Sequence, residues 1–287
     1  MSQIDLNQWV NEENDPQRRQ FRQAVHLILR AIATSNALAP FMVMKGGILL
    51  AIRYNSPRFT KDIDFSTPQR LQEVNLPLLL KDVTEALAPV SGDNEYGLAL
   101  ALQSHAVKPP DRPEVSFPTL QLKIGYASRA SAGEMLRFTK GQSAKTVQID
   151  YSFNEWASEV EQQIIDGGTL SMYAYHDLIA EKLRSVLQQP IRNRARFQDI
   201  YDISLLLECA TITDEEKIAI LSKLREASED RKVPMDQMAM RNQAVIDLSR
   251  RDYEAVAGLV PAKLPDFEVS YDVVRGFFES LPWQDGS

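Results

Sequence analysis

The stretch MVMKGGILLAIRYNSPRFTKDIDF, residues 42–65, decides the fold. Phe41 to Met44 is a short apolar run that reads as a strand, and Gly46-Gly47 stops it. Ile48 to Tyr54 suits a short helix, and Asn55-Ser56-Pro57 is a turn signal. Asp62 and Asp64 then alternate with Ile63 and Phe65, the period of a strand. Such a strand puts two carboxylates on one face and two apolar side chains on the other. Like charges held that close repel unless a cation lies between them or water reaches the site. A hard divalent ion with oxygen ligands, Mg²⁺ or Mn²⁺, resolves the repulsion. A solvated strand end with Lys61 and Arg58 as partners is the plainer alternative.

The glycines supply a second half to the motif. Lacking Cβ atoms, Gly46 and Gly47 let backbone N–H groups approach a phosphate where a helix begins. The helix N-terminus adds partial positive charge, and Lys45 is adjacent. A Gly-Gly pair alone is equally an ordinary turn. In-line phosphoryl chemistry calls for a third carboxylate. Asp150, amid the apolar alternation of a strand over residues 146–153, is the candidate, with an edge-strand aspartate in water as the alternative.

Composition narrows the field. One cysteine, Cys209, excludes an internal disulfide framework, and three scattered histidines (His26, His105, His176) assemble no zinc cluster. There is no Walker-type loop, no G-x-S-x-G elbow and no H-E-x-x-H. The opening MSQIDLNQWV lacks the basic and apolar regions of a secretory leader, and no apolar run is long enough for a membrane span. The expectation is a soluble, cytoplasmic protein with no membrane partner. A net charge of −7 argues against indiscriminate coating of nucleic acid. Basic residues nevertheless concentrate in two segments, Lys123–Lys145 and Lys182–Arg196, which suits a focused phosphate-bearing ligand or, alternatively, two solvated faces.

Along the chain, helical patterns run from Pro16 to about Ser35 and from Leu71 to Leu87, and strands from Thr119 to Ala127 and Thr146 to Phe153. The five-proline stretch 89–118 reads mostly as loop, with a strand near Leu98–Leu102. After Asp166-Gly167-Gly168 helical periodicity takes over: Tyr175–Leu187, Phe197–Cys209, Asp214–Ala227, Pro234–Leu248 and Tyr271–Leu281. Thr213 is placed as an N-cap. The reading is a mixed α/β domain over residues 1–168 and a helical domain over 169–287. In the first of the later helices Lys182 falls within the apolar half, so its ammonium either snorkels out or meets an anion such as a nucleotide phosphate. Asp199 is placed to orient Lys182 or an arginine, or to make a structural inter-helix ion pair, while Arg196 aligns with Ile200 and Ile203.

Taken jointly, Lys45-Gly46-Gly47, Arg58-Phe59-Thr60-Lys61-Asp62-Ile63-Asp64-Phe65, the Asp177–Leu183 block and the Arg194–Ile203 block resemble the AbiEii/AbiGii nucleotidyltransferase toxins of bacterial abortive-infection and toxin–antitoxin systems. The resemblance spans about Met42 to Leu207. It implies a nucleotidyltransferase-fold mixed sheet with flanking helices, then a C-terminal helical bundle. It further implies Mg²⁺- or Mn²⁺-dependent transfer of a nucleotide from an NTP to an RNA acceptor, tRNA above all, and a cognate antitoxin. Gly46, Gly47, Asp62, Asp64, Lys182 and Asp199 carry over position by position, and Asp150 with them. Ile48 departs from the family's Thr or Ser, which removes a hydroxyl contact to phosphate.

The expected roles are metal binding and catalysis for Asp62, Asp64 and Asp150 and phosphate neutralisation for Lys182. Lys45, Gly46, Gly47, Arg58, Arg196 and Asp199 are assigned to the nucleotide. Two alternatives stay open: a glycosyltransferase holding a nucleotide-sugar through its Asp-x-Asp, and a non-catalytic nucleotide-binding module of the same fold. The first would not need Gly-Gly one short helix earlier; the second would be expected to lack one of the carboxylates.

Overall fold

The computed structural model describes residues 2–110, 115–157 and 159–283. Two compact units emerge. The first takes the residues up to Ile52 together with Lys61–Tyr173; the second takes Arg53–Thr60 and the described residues from Ala174 onward.

The first unit contains, in chain order, β1 (Ser2–Gln3), α1 (Leu6–Asn11), α2 (Pro16–Thr34), β2 (Val43–Lys45), α3 (Gly46–Arg53) and β3 (Asp62–Ser66). It continues with α4 (Leu76–Val90), β4 (Leu98–Lys108), β5 (Thr119–Ser128), α5 (Ala132–Phe138), β6 (Lys145–Ser152), β7 (Val160–Ile165) and β8 (Gly168–Tyr173). The strands make one mixed sheet in the order β1-β7-β8-β2-β3-β6-β5-β4. Helix α2 starts where Asp15 accepts the Arg18 N–H and Pro16 occupies the first turn; α4 starts where Asn75 accepts that of Leu78. Both cover the same side of the sheet: Ile28, Ala31 and Ile32 of α2 and Val83 and Leu87 of α4 meet Leu122, Ile124 and Ile149.

That burial sets the register. Ile63, Phe65, Leu122, Ile124 and Ile149 are at most 2% exposed, each contributing about 1.5–3 kcal/mol. A one-residue slip of β3 or β6 would turn these side chains out and the aspartates in, so the carboxylates are held on the opposite face.

Several sequence expectations shift. The boundary expected at 168 falls inside a hairpin: Asp166 and Gly167 both have positive φ (47° and 84°) and join β7 to β8 as a two-residue turn, the Asp-Gly signature of a tight hairpin. Strand β8 pairs with β2 as well as β7, so the first unit runs on to Tyr173. The strand expected near Leu98–Leu102 is β4, longer than expected at eleven residues and paired with β5; Pro89 lies in α4, and Pro109, Pro110 and Pro118 follow the strand. The loop between β5 and β6 contains α5, capped by Ser131. Helix α3 begins at the glycines themselves rather than after them.

The second unit is helical: α6 (Tyr175–Leu187), α7 (Gln189–Arg192), α8 (Phe197–Cys209), α9 (Asp214–Asp230), α10 (Gln243–Arg250) and α11 (Phe267–Glu279). Thr213 and Glu216 form a reciprocal capping box at the start of α9. The helix expected over 234–248 starts only at Gln243, because Asn242 spends its side chain capping the Ala244 N–H. The segment Arg53–Thr60 joins this unit, with the Phe59 N–H donating to the Leu259 carbonyl at 2.7 Å. Among the described residues no helix is long and apolar enough to cross a membrane.

Candidate active site

Strand register turns the three aspartates into a lattice. Lys45 of β2, Asp64 of β3, Asp150 of β6 and Gln121 of β5 are successive partners across the sheet. The neighbouring row reads Asp62, Gln148, Lys123. Directly paired residues share a face, so the expected alternation holds and extends over three strands. Asp62, Asp64 and Asp150 are each half-buried, while Ile63, Phe65 and Ile149 are buried behind them.

Gly46 stands against this lattice. Its φ is +75°, and a Cβ there would lie 2.0 Å from Asp64 Oδ2 and 2.9 Å from Asp64 Cβ. Any side chain would displace the carboxylate, and the backbone conformation itself favours glycine. The N-terminal end of α3 and the carboxylate strand therefore meet at one point. Gly47 is buried in the first turn of α3, followed by Ile48, also buried.

The acids are unevenly compensated. Burial pushes the Asp62 carboxyl above its ordinary range, the charge of Asp150 pushes it the same way, and Lys61 opposes both. Asp150 Oδ1 accepts from the Gln121 amide at 3.1 Å and the Gln148 amide at 2.9 Å. Lys45, which shares the row of Asp64, is buried and gives its ammonium to Glu155, also buried, with the Tyr173 ring 5.8 Å away. Its proximity to the carboxylates is real, but its charge is matched within the protein. Among the described residues no group of three or more acidic, histidine or cysteine side chains is placed to hold a metal ion as the side chains stand. In donor chemistry Asp62, Asp64 and Asp150 fit a hard divalent ion, whose charge would oppose both the burial and the Asp150 repulsion that raise Asp62.

The remaining expected residues belong to the helical unit. Arg58 donates through Nε and a terminal nitrogen to both oxygens of Asp202, at 2.7 and 2.8 Å. Lys182 donates to Asp199 at 3.0 Å and to the second oxygen of Asp202 at 2.8 Å. Two cations and two carboxylates make a charge-balanced cluster. Burial alone would raise the Asp202 carboxyl; the Lys182 ammonium and the Arg58 guanidinium outweigh it and hold the group below its ordinary range. Burial likewise opposes the charge on Lys182, yet Asp199 and Asp202 leave its pKa raised. Lys182 thus has Asp199 and Asp202 as anionic partners within the protein, and Arg58 has Asp202. Asp199 accepts a hydrogen bond from Lys182 between α6 and α8, the contact that both sequence readings anticipated. Arg196 is 46% exposed, with Nε 4.0 Å from Asp199. In the same basic stretch Arg184 is buried on Gln188 and Ser185, leaving Arg192, Arg194 and Arg196 toward solvent.

Sequence reasoning did not single out Gln121, Gln148, Glu155 or Asp202 for the site. Gln148 was within reach, two residues from Asp150 and so on its face. The other three needed pairings that no local pattern announces.

A family model described as nucleotidyl transferase AbiEii toxin, type IV TA system, matches residues 27–277. Among solved structures, JHP933 from Helicobacter pylori is 18% identical, covering 93% of this chain and 92% of that one at a TM-score of 0.52. A second H. pylori protein, described as a candidate nucleotidyltransferase, is 17% identical over 92% of this chain and 94% of its own, at a TM-score of 0.50. At such identities the likeness is one of fold. Comparison with curated protein sequences returns no significant match.

Proposed function

The chain belongs to the AbiEii nucleotidyl transferase toxin family, and we propose that it moves a nucleoside monophosphate from an NTP onto RNA, tRNA above all. In this reading it is the toxin of a bacterial toxin–antitoxin or phage-defence pair, met by a cognate antitoxin. The observation that carries the reading is the approach of Gly46 to Asp64, which joins an N–H-rich helix start to a row of carboxylates.

Backbone N–H groups at Gly46 and Gly47 hold the β and γ phosphates at the start of α3. Asp62, Asp64 and Asp150 would hold Mg²⁺ or Mn²⁺, which when bound supplies positive charge to the triphosphate. Asp150 helps the acceptor hydroxyl give up its proton to water as the hydroxyl oxygen bonds to the α-phosphorus. The bond from that phosphorus to the bridging oxygen breaks, and pyrophosphate leaves with the electron pair. Catalysis consists of alignment and charge compensation. Lys182 neutralises phosphate charge, with Asp199 and Asp202 fixing its ammonium and Arg58 sharing Asp202. Solvent-facing Lys123, Arg137 and Lys140, and separately Arg192, Arg194 and Arg196, attract RNA phosphates, so RNA binding weakens with salt.

Incubation with each labelled NTP, Mg²⁺ and total cellular RNA tests this. Wild type labels a tRNA-sized product, and Asp64→Ala labels it at least about 10²-fold more slowly. Equal labelling by the variant would put the chemistry elsewhere.

A further inference from the structure

Asp150 is held in a way that neither Asp62 nor the family comparison accounts for. Both of its hydrogen bonds, from Gln121 Nε2 and Gln148 Nε2, fall on the same oxygen, Oδ1. A carboxylate oxygen offers two lone-pair sites. Two N–H donors fill them, and among the described residues Oδ2 receives no hydrogen bond. The two glutamines reach Asp150 from different directions. Gln121 is its direct partner on β5, and Gln148 is its neighbour two positions back on β6, itself paired with Asp62. All three side chains are half-buried on the polar face, so neither amide is a casual surface contact.

We infer that Gln121 and Gln148 are positioning residues that restrict Asp150 to single-oxygen coordination through Oδ2 and so bias the site toward small octahedral divalent ions and against Ca²⁺. The inference rests on the metal reading proposed above. The reasoning is one of coordination number. Mg²⁺ demands six ligands in near-ideal octahedral geometry, and Mn²⁺ accepts the same oxygen set. Ca²⁺ takes six to eight and readily uses both oxygens of one carboxylate. A carboxylate with one oxygen saturated by amides serves the first kind of ion fully and the second poorly. Replacing the amides by apolar side chains would release Oδ1 and remove the discrimination. It would do so without touching Asp62, Asp64 or the glycine turn.

The test is direct metal binding, read by electron paramagnetic resonance of Mn²⁺ with Ca²⁺ as competitor, on the full chain without RNA. Gln121→Met and Gln148→Met keep side-chain length and remove the donor; thermal unfolding confirms that each variant folds. Ca²⁺ is expected to compete roughly three- to tenfold better in each single variant, corresponding to one hydrogen bond, and better still in the double variant. As a second measurement independent of folding yield, Mn²⁺-soaked wild-type crystals should show Asp150 ligating through one oxygen with both amides still on the other. An unchanged Ca²⁺-to-Mn²⁺ preference in the double variant, or a metal on both Asp150 oxygens in wild type, overturns the inference while leaving the metal site intact. Mn²⁺ binding that is absent from wild type, or equal in Asp62→Asn and Asp64→Asn, overturns the metal reading and this inference with it.

Discussion

Two aspartates in this chain are shifted in opposite directions, and the contrast separates framework from site. Asp202, in the helical unit, is fully buried yet held below the ordinary carboxylate range, because Lys182 and Arg58 occupy both of its oxygens. Asp62, on the polar face of the sheet, is only half-buried yet pushed upward, by burial first and by the charge of Asp150 second, with Lys61 too weak to offset them. A folded chain satisfies its internal charges where they serve structure. Where it gathers like charges and leaves the compensation to something else, a ligand is the natural balance. Lys182 and Asp199 have their charges met by each other and by Asp202, whereas Asp62 and Asp150 bring like charges together.

The largest expected effect breaks the compensated side. Asp202→Ala strips Arg58 of both its carboxylate bonds and leaves Lys182 with Asp199 alone, and should cost about 3–5 kcal/mol, seen as a lower urea midpoint. The pH dependence has a definite sign. Because the Asp202 pKa is depressed on folding, its stabilisation is fully present above the ordinary carboxylate range and drains away as pH falls below about 4. Asp202→Asn should flatten that acid limb of the stability curve. A limb of unchanged slope would show that the cluster contributes no pH-dependent stability.

Next in size is Gly46→Ala. The positive φ costs about 1–2 kcal/mol for a residue with a side chain, and the new Cβ would also displace the Asp64 carboxylate. Gly167→Ala supplies the control, with φ +84° but nothing within 4 Å of the added carbon. Gly46→Ala should lose at least as much thermal stability as Gly167→Ala, whereas transfer activity should fall more than about tenfold only in Gly46→Ala. Equal activity in the two would detach the glycine from the site.

The smallest effect has the opposite sign. Asp62→Asn should slightly stabilise the metal-free protein, by under about 1 kcal/mol given the solvent screening of a half-exposed group. A carboxyl whose pKa is raised on folding loses stability as pH climbs from its ordinary range through the folded value, so the variant's advantage should grow over that window and then level off. Differential scanning calorimetry at pH 4 and pH 7 reads it. A destabilised Asp62→Asn would mean that the polar face already compensates its acids.

Much of this is legible in the sequence. The strand periods of Asp62–Phe65 and 146–153, the helices over Tyr175–Leu187 and Phe197–Cys209 and the Thr213 cap all follow from local patterns, and local patterns are what a linear sequence displays. The misreadings share a cause. Asp166-Gly167 looks the same whether it ends a domain or joins two strands, and only the pairing of β8 with β2 distinguishes them. Lys182 on an apolar helix face likewise gives no sign in sequence of its bond to Asp202, twenty positions away.

Sequence alone determined the parity of the acidic strand, the place of the permissive glycines and the order of the two halves, since each is written in the spacing of near neighbours. Tertiary structure decided which charges are spoken for: Glu155 reaches Lys45 across 110 positions and Asp202 reaches Arg58 across 144. Electrostatic energy depends on distance in space and on burial. Neither quantity exists until the chain has folded.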